Sequence, residues 1–157
     1  MKGTLVGTEM SAQAIDLVVV TIANLYNLLM TSIFLTRPRG WKRFERGAGL
    51  IMVALALPLA AAAGLNLSGG RGVWLVVLPL PLILHCIVEL LLDYILHIDF
   101  RRTHTRLLGP YLALFYLGQW GLIGYAFFVA PAAGFLTLIT YFLSLGGTRY
   151  AYARGVA

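Results

Sequence analysis

The feature that most constrains this chain is the spacing of its charges. Between residues 107 and 145 no Asp, Glu, Lys, Arg or His occurs, and short basic clusters separate the other apolar runs. A helical residue rises ~1.5 Å, so about 20 apolar residues cross a hydrocarbon core of ~30 Å. The runs at 15–35, 47–65 and 73–98 each meet that length, and 107–145 is long enough to cross twice. Pro131 and Gly134 punctuate the segment 128–134 and mark its reversal. The expected fold is all-α: a polytopic, compact bundle of five transmembrane helices. Its spans lie at about 15–35, 47–65, 73–98, 107–127 and 131–146. Four spans with one re-entrant segment is the competing count.

The basic residues test that count. Arg37, Arg39, Lys42, Arg43 and Arg46 occupy the first connection, Arg101, Arg102 and Arg106 the third, and Arg149 and Arg154 the tail. All ten share one side only if the spans number five. The other side keeps Lys2 and Arg71. The positive-inside rule makes the richer side cytoplasmic, so the N-terminus is expected outside and the C-terminus inside, in a plasma or inner membrane.

Composition agrees. The chain is 60% hydrophobic and 11% charged, against roughly half and about a quarter in an ordinary soluble domain. A soluble enzyme, a disordered chain and a coiled coil are excluded as classes. The net charge of +6 comes from clusters between apolar runs, so no nucleic-acid partner is expected. The lone Cys86 rules out an internal disulfide framework. No basic stretch leads straight into the first run and no small-residue cleavage site follows it, so that run is expected to remain a span. No internal repeat or linker divides the chain, and 1–157 is expected to form one domain.

The third run carries the ionisable residues. His85, Glu89 and Asp93 recur every four positions, with His97 beyond them. On a helix such positions stack into one slanted stripe. Counted back from Asp99, Asp93 lies ~9 Å deep, Glu89 ~15 Å and His85 ~21 Å. A carboxylate facing lipid at mid-span costs roughly 2.5–3.5 kcal/mol, so the stripe must face other helices or a watered cavity. His85 and Glu89, one turn apart, are placed to share one proton. Asp99 is expected to pair with Arg101 or Arg102, and His97 and His104 to lie at the interface.

Other runs offer polar groups at similar depth: Asn24, Asn27 and Thr31; Tyr116, Gln119 and Trp120; Thr137, Thr140 and Tyr141. Either they line a cavity around the stripe or they serve as glue between helices. Ala56, Ala60 and Gly64 form a small-residue face expected to pack closely, as do Gly118, Gly121 and Gly124. Pro79 and Pro81 either kink the third span or start its helix, and Pro58 is placed to kink the second. The basic loop with Arg37, Arg39, Lys42 and Arg43 around Trp41 suits anionic headgroups, besides its role in topology.

Three functions remain. The first is binding or transport of a small solute, cation or proton, with His85, Glu89 and Asp93 exchanging protons or holding the ligand. Asn24, Asn27, Tyr116, Gln119, Trp120, Thr137 and Tyr141 would line that cavity. The second is an intramembrane enzyme using the His85–Glu89 pair as acid and base on a lipid or isoprenoid-like substrate. The third is a structural subunit of a larger membrane complex or homo-oligomer. No motif identifies a cofactor, and the stripe lacks the ligand set of a metal site.

Overall fold

The computed structural model describes residues 2–98 and 105–155, and side chains within 12–98 and 106–155. Every regular element among them is helical. They are α1 (Lys2–Thr36), a 3-10 turn (Arg37–Arg39), α2 (Lys42–Ala54), α3 (Ala56–Ser68), α4 (Val73–Val77), α5 (Leu80–Glu89), a π-helical segment (Leu90–Ile95), α6 (Thr105–Val129) and α7 (Pro131–Ala153). Five helical stretches are long and apolar enough to cross a membrane: Ala12–Arg39, Lys42–Ser68, Val73–Ile95, Arg106–Val129 and Pro131–Ala153. Residues 107–145 therefore form two full-length helices rather than one helix and a re-entrant segment. The Arg37–Arg46 connection marks the basic end of the bundle, and the turn at 69–72 marks the far end.

Prolines break two of the stretches, for the reason the sequence suggests. Pro58 has no N–H to offer Ala54, and the helix is interrupted at Leu55, between α2 and α3. Pro79 and Pro81 interrupt the third stretch at Leu78 and Pro79, with helix on both sides, so they kink a span rather than start one. At the far end Ala130 is extended (φ −164°, ψ 143°) and Pro131 opens α7, where its missing N–H costs nothing. The third span closes differently. Leu96 N–H donates to Leu91 O (2.8 Å) and Ile98 N–H to Leu92 O (2.9 Å), turns wider than an α-turn by one and by two residues. His97 then adopts φ +52° and ends the helix where a glycine is usual.

The core is formed by Val19, Ala23, Tyr26, Leu59, Leu82, Leu122 and Tyr125, each at most 1% exposed. α1 packs most extensively on α7 and also touches α2, α3 and α6, while α5 packs on α6. Two glycines set that last approach. A Cβ on Gly118 would sit 2.7 Å from Leu82 Cα, and one on Gly121 would collide with Leu78 O. The face Ala56, Ala60, Gly64 does not pack as expected: Ala60 and Gly64 point outward, and a Cβ on Gly64 would meet nothing. Asn66 explains the rotation. Its amide must be inward, which turns Ala63, Ala62 and Leu59, at i−3, i−4 and i−7, into the bundle.

Candidate functional site

The apolar spacing of α5 buries Leu82, Ile83, His85 and Cys86 together. His85 is 2% exposed, and its Nε2 lies 3.4 Å from Glu89 Oε2. Rings from α6 wall the imidazole: Tyr111 at 4.5 Å and Phe115 at 5.3 Å between centroids. From α1, buried Tyr26 belongs to the same core cluster as Leu82, Cys86 and Phe115. The site is thus a buried imidazole against a partly buried carboxylate, walled by rings from α6. Glu89 stands where α5 becomes the π-helical segment, and Asp93, half-buried, continues toward the basic end. Single-turn π geometry recurs at functional sites.

The bundle interior is short of hydrogen-bond partners. Tyr26 Oη, His85 Nδ1, Asn27 Oδ1 and Gln119 Nε2 are all buried with none. Each such group costs about 1–3 kcal/mol if it stays unmade. Buried polar groups are normally satisfied by protein or by ordered water. Four of them, on α1, α5 and α6, mark an interior suited to water or a small polar ligand.

The remaining expected cavity residues lie elsewhere. Asn24 and Asn27 join α1 to α7: Asn24 Nδ2 donates to Thr137 Oγ1 (3.2 Å), Thr140 Oγ1 to Asn24 Oδ1 (2.9 Å) and Asn27 Nδ2 to Thr140 Oγ1 (3.1 Å). Gln119 is buried one turn beyond Phe115. Tyr116 and Trp120 turn outward, at 43% and 57% exposed, with buried Tyr141 against Trp120 at 5.9 Å. They do not enclose His85. In the basic loop, Arg37 is engaged by Glu45 at 3.6 Å and by the Phe34 ring, and Arg39 lies over Trp41. Gly40, Trp41, Lys42, Arg43 and Phe44 line a depression of about 480 Å³ there. Asp99, Arg101, Arg102 and His104 fall outside the described residues.

Sequence reasoning missed a second polar cluster, at the far end. Arg71 holds Asp16 bidentately, Nη2 to Oδ2 at 2.7 Å and Nη1 to Oδ1 at 3.0 Å. Nη1 also donates to Asn66 Oδ1 (2.9 Å) and Ala12 O (3.2 Å). Tyr125 Oη donates to Asp16 Oδ1 (2.8 Å), and Asn66 Nδ2 to Tyr125 Oη (3.0 Å). The bonds to Asp16 push the Arg71 guanidinium further up, so it stays charged at any ordinary pH. An Asp at the mouth of the first apolar run was the one available signal.

A second depression, of about 280 Å³, lies along the kink of the second span, lined by Leu50, Val53, Leu57, Cys86, Ile87 and Leu90 among others. Neither depression is lined by His85 or Glu89. Among the described residues no three His, Cys, Asp or Glu side chains converge as a metal site would require. No family model, no curated protein and no solved structure matches the chain.

Proposed function

We propose that this chain is an integral membrane protein that binds and releases a proton at His85 and Glu89, coupled to movement of a small solute or cation, or of the proton itself. The reading places the basic end in the cytoplasm, the N-terminus outside and the C-terminus inside, as the distribution of Lys and Arg favours. One observation carries it: a 2%-exposed imidazole set against a carboxylate at 3.4 Å inside a helix bundle. Asn or Gln would supply glue there without the cost of a charge. Intramembrane ionisable residues mark proton and ion pathways for that reason. Glu89 and then Asp93 supply steps toward the basic end. The far end is shut by the Asp16–Arg71 cluster and by the packed Val19, Leu59, Leu82 and Leu122.

Proteoliposomes enclosing a pH-sensitive dye test the proposal. An imposed pH gradient should collapse faster with the wild-type protein than with Glu89→Gln, by about tenfold or more. Equal rates in both would overturn the role of Glu89. The enzyme alternative uses the same pair, and the groove beside Cys86 would suit an acyl chain. It ranks second because that groove is not lined by His85.

A further inference from the structure

Along the second span, exposed charge runs on into exposed apolar surface. Arg43, Arg46, Leu50 and Val53 are spaced i, i+3, i+7 and i+10 on α2, and Leu57 follows at i+14, beyond the break at Leu55. On a helix those positions form one stripe. Its basic half begins at the depression lined by Lys42 and Arg43, and its apolar half lines the groove at the kink. Ile87 and Leu90 of the third span line the same groove. Two contacts hold these spans together along it. Tyr94 Oη donates to Arg46 O at 3.3 Å, where a Cβ on Gly49 would collide with the hydroxyl. Cys86 Sγ donates to Met52 O at 3.8 Å.

Both halves of the stripe are open to a ligand. Among the described residues the ion pairs are Arg37 with Glu45, Arg71 with Asp16 and His85 with Glu89. Exposed Arg43 and Arg46 therefore stand without a carboxylate. From Arg46 to Leu57 the helix rises ~16 Å, about half the thickness of a ~30 Å hydrocarbon core and so the depth of one leaflet. A free phosphate would answer the cations and leave the groove bare. An apolar helix would fill the groove and leave the cations unanswered. A phospholipid with an anionic headgroup answers both, and basic pockets between membrane helices hold such headgroups elsewhere. We propose that the seam between the second and third spans binds one anionic phospholipid, with its phosphate on Arg43 and Arg46. One acyl chain lies along Leu50, Val53 and Leu57, against Ile87 and Leu90. The lipid is a resident ligand rather than a substrate, because neither His85 nor Glu89 lines the groove. The site stands apart from the proposed proton role.

The test is native mass spectrometry of the full chain released from detergent, titrated with phosphatidylglycerol and, separately, with phosphatidylcholine of the same acyl chains. The wild type is expected to retain one phosphatidylglycerol per chain. It should prefer that lipid by about thirtyfold, about fivefold for each arginine near the surface. Arg43→Gln with Arg46→Gln should abolish the preference. Arg149→Gln with Arg154→Gln, which removes the same charge elsewhere at the basic end, should keep it. Ala54 is exposed and lines the groove, so Ala54→Phe should weaken phosphatidylglycerol retention several-fold with both arginines in place. Equal retention of the two lipids by the wild type, equal losses in the two arginine pairs, or undiminished retention in Ala54→Phe would overturn the proposal. Glycerol phosphate retained as strongly as the lipid would overturn it in favour of a free phosphate. A dimer lost in Ala54→Phe, with no lipid retained by the wild type, would overturn it in favour of a second copy of the chain.

Discussion

The bundle holds two clusters of polar side chains, and they are satisfied to opposite degrees. At the far end, Asp16, Asn66, Arg71 and Tyr125 bond one another from α1, α3, the following turn and α6. At mid-bundle, His85 and Glu89 touch each other while Tyr26 Oη, His85 Nδ1 and Gln119 Nε2 find nothing. A saturated network resists rearrangement, because moving any member strands the others. An unsaturated one retains capacity for water, a proton or a ligand. On the proposed function, the difference separates a polar cluster that fastens helices from one that handles a proton, although both contain a carboxylate opposite a cationic or protonatable partner.

Substitutions can break that contrast, beginning with the largest expected loss. Asp16→Ala leaves Arg71 without its carboxylate and Tyr125 without its acceptor. Removing one partner of a buried ion pair costs about 3–5 kcal/mol. With Arg71 22% exposed, a loss of about 2–4 kcal/mol is expected in unfolding from detergent. A loss below about 0.5 kcal/mol would mean the far end is not a fastening at all. Gly118→Ala comes next, at about 1–3 kcal/mol. Its methyl would press on Leu82, one turn from His85, so stability and proton flux should fall together; a fall in only one would show that the α5–α6 seam does not couple fold to site. The smallest change in stability is expected for His85→Phe, within about 1 kcal/mol of wild type and on the stabilising side, since an under-satisfied polar group gives way to an apolar one. Loss of flux in that variant with stability intact would make the contrast sharpest. A loss of several kcal/mol would assign His85 to the scaffold.

Much of the architecture was readable from local pattern. The five apolar stretches, the reversal at Pro131, the break at Pro58, and the packing of Gly118 and Gly121 all follow from residue type and helical period, whereas Pro79 and Pro81 fitted a kink and a helix start equally well. The contact of His85 with Glu89 follows from spacing alone. What stayed hidden depends on which helices are neighbours. Asn24 and Thr137 could equally have lined a cavity until α1 and α7 were seen to touch. The far-end cluster joins Asp16 to Tyr125 across 109 positions, and each member has a bland local explanation: an interfacial acid, a loop arginine, a turn asparagine. Tyr26 was unremarkable as one aromatic in an apolar run. The Ala56, Ala60, Gly64 spacing misled in the other direction, because the burial of Asn66 decides which face of α3 is inside.

The packing of α1 on α7 has a consequence for how the protein is made. The first span and the fifth are each other's principal neighbours, and Asn27 waits for Thr140, 113 positions later. A ribosome feeding a membrane delivers α1 long before α7 exists. During that interval Asn24 and Asn27 lack their side-chain partners on α7, and polar groups in an unassembled helix invite recognition by insertion factors and by proteases that survey orphaned segments. The first helix therefore comes to rest only after α7 has been made and has packed against it.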